Sequence, residues 1–281
     1  MDLVWEFEAL GAPWRIRSDQ PMTEPLRALV ESRIEGFDAT WSRFRADSLV
    51  SALRSGLPVD LGPDAPAILD LYDRLVEVTG GAVNPLVGAS LESLGYDAQY
   101  SLRGGKPVAA PDWGELQRDG STVTVPVGTV LDIGAAGKGF VAERVADDLA
   151  SAGVASIVNA SGDIVNRSGA DLRIALEHPA DSELAIGTAV VADGESICGS
   201  AANRRAWGDG LHHVLDARTG EPTRGVVAAW AVGRRAAVCD GVATAAFFAE
   251  VESLAWSNTA VLAVDVNGRP HFLRWPGEVF T

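Results

Sequence analysis

The stretch that most constrains this chain is Leu131 to Gly169, which reads LDIGAAGKGFVAERVADDLASAGVASIVNASGDIVNRSG. It sets Asp132, a glycine-rich turn and Lys138 at the mouth of a helix. About one helix length later it sets a second polar turn, Asn159-Ala160-Ser161-Gly162-Asp163. Gly134, Gly137 and Gly139 carry no Cβ, so backbone N–H groups there can come close to an anion. The helix beginning near Lys138 adds its positive N-terminal end, which suits a phosphate or pyrophosphate. A strand-to-helix turn that packs tightly and binds nothing fits the same residues. The spacing is not that of a P-loop, which needs a Gly where Asp132 stands and a Ser or Thr where Gly139 stands. Nor is it the dinucleotide fingerprint, since the glycines fall as G-x-x-G-x-G with no βαβ pattern around them.

At 281 residues the chain holds one large domain or two small ones, and 47% hydrophobic with 22% charged residues is globular composition. The net charge of −15 argues against nucleic acid as a partner. It leaves room for a phosphorylated small molecule, and makes a divalent cation the natural bridge to one. Two cysteines, Cys198 and Cys239, are too few for a disulfide framework or a cysteine zinc site, and read as buried reduced thiols. The opening residues, MDLVWEFEALGAPWRIRSD, alternate like a strand and lack the basic and apolar regions of a signal peptide or lipoprotein leader. No apolar run reaches the length of about 18 residues that a spanning helix needs. The expectation is a cytoplasmic chain with no membrane span.

Along the chain, Val4 to Leu10 and Trp14 to Arg17 read as a hairpin turning at Gly11-Ala12-Pro13. Thr23 to Phe44, Pro63 to Val78 (closed by Gly80-Gly81) and Asn84 to Leu94 read as helices, and Gly104 to Arg118 as a loop. Beyond Ser121, strands are expected at Thr122–Val125, Thr129–Ile133, Ser156–Asn159, Asp163–Arg167, Leu172–Leu176, Ile186–Val191, His212–Leu215 and Val226–Val232. Lys138–Ala152 and Ala237–Val251 read as helices, and Ala260–Val266 with His271–Trp275 as a closing hairpin. Helices early and strands late give an α+β class, with a helical part inserted into or packed on a mixed or antiparallel sheet. We read residues 1–281 as a single domain: 1–120 supply the N-terminal hairpin and helices, and 121–281 mainly sheet with two helices.

Three further clusters carry chemistry. Thr79-Gly80-Gly81-Ala82-Val83-Asn84-Pro85 is a tight bend with amides available to a ligand, or a plain inter-helix turn. His212-His213-Val214-Leu215-Asp216-Ala217-Arg218-Thr219-Gly220 joins imidazole, carboxylate and guanidinium, a set suited to acid–base work beside an anion. An Asp216–Arg218 turn salt bridge beside a surface histidine is the plainer account. Cys239-Asp240-Gly241-Val242-Ala243-Thr244 places an Asp and a Thr on one helix face. Both offer hard oxygens of the kind Mg²⁺ takes, although Asp240 as a simple N-cap fits as well.

Taken in order, these clusters resemble the ApbE-like family, whose type activity is FAD:protein FMN transfer. The resemblance runs from Phe7 to Phe272. Ala9 to Trp14 resembles the family's "MGT" strand turn. Thr40-Trp41-Ser42-Arg43-Phe44 through Asp47-Ser48 is similar to "T(Y/W)S…DSE", and Gly81 to Pro85 to "GAFDPT". Leu131-Asp132-Ile133-Gly134 through Lys138-Gly139 is similar to "LDLGGIAKG", and Asn159 to Asp163 to "N-x-GGD". Arg173 to Pro179 is similar to "IGIEDP", His213 to Gly220 to "HILDPRTG", and Asp240 to Thr244 to "DALAT". The resemblance implies a T-fold-related α+β architecture and an FAD site lined by Leu10, Trp41, Ala82, Val83, Asn84, Asp132, Lys138 and Val214. It implies Mg²⁺ on Asp240, Thr244 and backbone oxygens near Ala135 and Ala243, with His213 at the reacting end of the cofactor. The chain departs from the pattern at Val83-Asn84, where the family has "FD", and at Gly199-Ser200-Ala201, where it has "TSG".

The activity so implied is Mg²⁺-dependent transfer of FMN from FAD to a Thr or Ser hydroxyl of an acceptor flavoprotein, releasing AMP. Two other functions stand beside it: an FAD pyrophosphatase, with water in place of the acceptor hydroxyl, and a protein that binds FAD without chemistry.

Overall fold

The structure, a computed structural model, describes residues 3–280, the side chain of Ser182 excepted. The chain divides into two compact units. The first comprises the residues up to Glu35, Ala136–Ala201 and those from Gly225 on; the second comprises Gly36–Ala135 and Ala202–Arg224.

The first unit is built on an eight-stranded sheet. Its strands lie in the spatial order Leu3–Ala9, Ala12–Ser18, Ser156–Ala160, Asp163–Arg167, Ser196–Ala201, Val226–Gly233, Ala260–Asp265 and Pro270–Leu273. Every neighbouring pair is antiparallel. The hairpin at one edge turns through Leu10 and Gly11 with φ of 52° and 68°. Two positive φ values in succession suit the right-handed twist of a hairpin, but a leucine in this region is uncommon.

The helices Gly137–Ser151 and Ala236–Ala245 pack on each other and on the strands Ser156–Ala160, Asp163–Arg167, Ser196–Ala201 and Val226–Gly233. Val141, Val145 and Leu149 recur every fourth residue on the first helix and are fully buried. The two-stranded ribbon Leu172–His178/Asp181–Val191 joins a core of Leu176, Ile186, Val191, Ile197, Val232 and Leu262. In the strand Ser196–Ala201 the alternation of side chains splits the residues by chemistry. Ile197 belongs to the ribbon core, whereas Cys198 Sγ donates to the Ala236 carbonyl on the helix side at 3.3 Å.

The second unit holds the helix Ala65–Thr79, a 3₁₀ turn Pro85–Val87 running into the short helix Gly88–Ser93, and a small sheet of Val59–Asp60, Thr122–Thr124 and Gln117–Asp119. Gly80, at φ 58°, closes the long helix in the left-handed conformation. The helix Glu24–Trp41 carries the chain from one unit to the other.

The α+β reading holds, and most expected elements fall within a few residues of the observed ones. Four differ. Thr129–Ile133 is no strand, because its backbone pairs with a 3₁₀ turn instead: Gly88 N–H donates to Val130 O at 3.1 Å and Asp132 N–H to Pro85 O at 2.7 Å. The expected strand His212–Leu215 breaks at His213. The His212 ring folds onto its own backbone, leaving the short strands Leu211–His212 and Leu215–Asp216. The expected helix Ala237–Val251 ends at Ala245, where tighter bonds from Phe247 N–H to Thr244 O (3.2 Å) and from Phe248 N–H to Ala245 O (2.9 Å) take over. The expected loop 104–118 contains a 3₁₀ turn, Trp113–Glu115, whose capping box joins Asp112 and Glu115.

Candidate functional site

In the first unit, register gathers several of the named residues at one end of the sheet. Trp14 pairs with Ala160, which brings the Leu10–Gly11 turn to the same end as the Ser161–Gly162 turn. Gly162 N–H donates to Asn159 Oδ1 at 2.9 Å, fixing that second turn. Asp163, the next residue, is fully buried and its Oδ2 forms an ion pair with Lys138 Nζ. Among the described residues Asp163 Oδ1 has no hydrogen-bond partner. Burial opposes the Lys138 charge, but the carboxylates of Asp163 and Asp240 outweigh it, so the Lys138 pKa is raised and the side chain stays cationic.

Asp240 is not a helix cap. It lies inside Ala236–Ala245, where Arg235 takes the N-cap position, and it is 3% exposed. Its Oδ2 accepts from Gly139 N–H of the neighbouring helix at 2.9 Å. Thr244 stands one turn further on, with its Oγ1 3.0 Å from Ser200 Oγ, and Ala243 between them is fully buried. Burial and nearby carboxylates hold the Cys198 and Cys239 thiols well above their ordinary pKa, and both are free, so the expectation of buried reduced thiols holds.

In the second unit, backbone bonds knit four segments into one patch. Ala217 N–H donates to Ala82 O at 2.9 Å and Ala110 N–H to Ala217 O at 2.8 Å, while Asp132 N–H reaches Pro85 O. Asn84 is 6% exposed; its Oδ1 accepts from Leu86 N–H and its Nδ2 donates to Pro111 O, both at 3.0 Å. Ala82, Val83, Trp41 and Val214 are buried. Asp132 Oδ1 accepts from Gly134 N–H at 2.7 Å, and its Oδ2 accepts from Arg43 Nε. Ala135 ends the first of this unit's two segments.

The two adjacent histidines have different surroundings. His212 is 9% exposed; its Nδ1 accepts from Val214 N–H at 3.3 Å, which leaves Nε2 as donor to Thr223 O at 2.9 Å. His213 lies in the bend and is half-buried. Asp216 and Arg218 form the expected turn salt bridge at 2.6 Å, and hydrogen bonding from Arg218 holds the Asp216 carboxyl below its ordinary range.

The ApbE family model matches residues 1–264. The chain belongs to the ApbE family. An FAD:protein FMN transferase of Rhodobacter capsulatus is 28% identical over 221 residues, covering 73% of this chain and 42% of that protein. The chain thus spans less than half of that relative. An FAD:protein FMN transferase of Klebsiella pneumoniae is 25% identical over 276 residues, 85% of this chain and 76% of that protein. Among solved structures, the ApbE protein of Thermotoga maritima superposes with a TM-score of 0.82 at 20% identity, covering 96% of both chains. The flavin transferase ApbE of Vibrio cholerae superposes with a TM-score of 0.77 at 21% identity, again over 96% of both. The fold is therefore that of ApbE proteins.

No helix among the described residues is long and apolar enough to cross a membrane, and none of their His, Cys, Asp and Glu side chains form a group of three or more placed to hold a metal. Three residues inside the ApbE-like segments make contacts that the motifs do not announce: Arg43 with Asp132, Asp163 with Lys138 and Ser200 with Thr244. Arg43 is the most legible of these, as a cation written between Trp41 and Phe44.

Proposed function

We propose that this ApbE-family chain is a Mg²⁺-dependent FAD:protein FMN transferase. A Thr or Ser hydroxyl of an acceptor flavoprotein attacks the FMN phosphorus of FAD, the bond to the AMP phosphate breaks, and AMP leaves. The observation that carries this reading is the pairing of Asp240 with Gly139. It draws two motif segments of the family, 101 residues apart in sequence, into one hydrogen bond.

The donor set suits Mg²⁺. Asp240 offers a buried carboxylate, Thr244 a hydroxyl on the same helix, and Ala243 a backbone oxygen, all hard oxygens. The family resemblance adds the Ala135 carbonyl. Bound there, Mg²⁺ supplies neutralisation of the charge that builds on the diphosphate. Lys138, kept cationic by its carboxylate neighbours, adds a fixed positive charge. Leu10, Trp41, Ala82, Val83, Asn84, Asp132 and Val214 orient the flavin and adenine parts, and His213 serves the reacting phosphate by taking the acceptor's proton or holding the diphosphate.

Co-expression with candidate acceptor flavoproteins, followed by intact-mass spectrometry, tests the reading. A mass gain equal to FAD less AMP, that is one FMN minus a water, on an acceptor supports transfer. AMP release from FAD with no acceptor modified points to a pyrophosphatase, and FAD binding with neither product to a flavin-binding protein.

A further inference from the structure

Arg43 is a cation where the fold can least accommodate one. Its side chain is 2% exposed, and its guanidinium lies over the rings of Phe44 and Tyr96, 4.1 and 5.0 Å from their centroids. Only Nε is hydrogen-bonded, to Asp132; Nη1 and Nη2 have no hydrogen-bond partner among the described residues. Nη1 stands 4.0 Å from Glu92 Oε1, and Glu92 is itself gripped by Arg54 through two bonds of 2.5 and 3.0 Å. A buried guanidinium with two unspent NH₂ groups is a poor device for stability, since its desolvation is only partly repaid. It is a good device for holding one carboxylate in one place, because cation–π contact fixes the plane from which Nε points.

Each oxygen of the carboxylate so held accepts one hydrogen bond within the unit. Asp132 Oδ2 belongs to Arg43, and Oδ1 belongs to Gly134 N–H at 2.7 Å. A Cβ at Gly134 would stand 2.8 Å from that same Oδ1, so the turn and the carboxylate fit only as a pair. Arg43, Asp132 and Gly134 therefore form one clamp, with Glu92 and Arg54 behind it.

We infer that Arg43 is a positioning residue for FAD binding: through Asp132 it fixes the turn at Gly134 and the direction in which the Asp132 carboxylate faces. This rests on the proposed FAD-dependent function.

The test is FAD titration of the full chain, followed by flavin fluorescence, for the wild type, Arg43→Gln, Arg43→Lys, Asp132→Asn and the double variant Arg43→Gln/Asp132→Asn, each with a thermal melt. Arg43→Gln and Asp132→Asn are each expected to raise the FAD Kd about tenfold, and the double variant no further than the worse single one. Arg43→Lys keeps a donor for Asp132 and should recover most of the affinity. Wild-type affinity in a folded Arg43→Gln protein, or effects of the two singles that multiply in the double, would overturn the clamp. Should Arg43→Gln fail to fold, Arg43→Met, which keeps the length of the side chain without a donor, takes its place in the cycle: non-additive effects with Asp132→Asn support the clamp and additive effects reject it. A wild type that does not bind FAD sinks the functional reading and the clamp together. A wild type that binds, with variants unchanged, sinks the clamp alone.

Discussion

The amide of Gly139 donates to Asp240 Oδ2 at 2.9 Å across two packed helices, and no side chain fits at the crossing. A Cβ at Gly139 would lie 2.4 Å from the Ala236 carbonyl oxygen and 2.7 Å from Asp240 Cβ. Neither neighbour is the far end of a flexible chain, so the helices themselves would have to part. Gly139→Ala is expected to cost about 1–3 kcal/mol, the usual range for overpacking. Urea unfolding measures it, and a variant as stable as the wild type would show that the crossing is not tight.

Asp240 holds the Gly139 amide and, on the proposed function, a divalent cation, and substitution can separate the two. Asp240→Ala leaves the Gly139 N–H buried without its acceptor, at a cost of about 1–3 kcal/mol. Asp240→Asn keeps an oxygen for that N–H but loses the charge a divalent cation needs. Both variants should lose Mg²⁺-dependent AMP release, by about 100-fold or more, while only the alanine variant should be markedly less stable. Full AMP release by Asp240→Asn at limiting Mg²⁺ would remove Asp240 from the metal set.

How far the chain could be read follows from what kind of contact each feature depends on. The amphipathic helix Gly137–Ser151 and the strands around it are local patterns, so spacing alone revealed them. Thr129–Ile133 misled because its extended, apolar sequence is partnered by the turn Pro85–Gly88, a long-range choice that periodicity does not encode. His212–Leu215 misled because one imidazole competes with the ladder for its own backbone. The departures from the family pattern also acquire physical reasons. Gly199 is required where Trp230 lies, since a Cβ there would stand 2.8 Å from its ring. Asp163 and Arg43 stayed unassigned because their partners, Lys138 and Asp132, are distant in sequence.

The other departure, Asn84, is tied to Pro111. Its Nδ2 donates to the Pro111 carbonyl at 3.0 Å while its Oδ1 accepts from Leu86 N–H. Asn84→Asp would restore the family's residue but turn an acceptor toward an acceptor. The substitution should cost about 1–3 kcal/mol at neutral pH. The new carboxyl is repelled by the carbonyl, so its folded pKa should rise above the unfolded value of about 3.9. The deficit should therefore be small in acid, where the protonated group can donate, and grow as pH rises. Unfolding curves at pH 4 and pH 7.5 check the sign; an equal deficit at both would mean that the Pro111 contact contributes nothing.

His212 and His213, adjacent in the chain, are expected to separate stability from transfer. Burial, partly offset by the bond to Thr223 O, lowers the His212 pKa below its ordinary value of 6.5. The neutral ring is the one the fold uses, because Nδ1 must stay unprotonated to accept from Val214 N–H. Below pH 6.5 the unfolded chain binds a proton that the folded chain resists. The contribution of His212 is therefore fully present above pH 6.5 and is lost as pH falls through the lowered folded value. His212→Asn keeps an oxygen near the position of Nδ1 but cannot titrate. It should lower the melting temperature at pH 7.5 and flatten its decline toward pH 5.5. His213→Asn should leave that decline intact and instead abolish FMN transfer under saturating FAD and Mg²⁺. Paired melting curves and transfer assays separate the two positions. Loss of transfer in His212→Asn with transfer retained in His213→Asn would move the reacting imidazole one residue back along the chain.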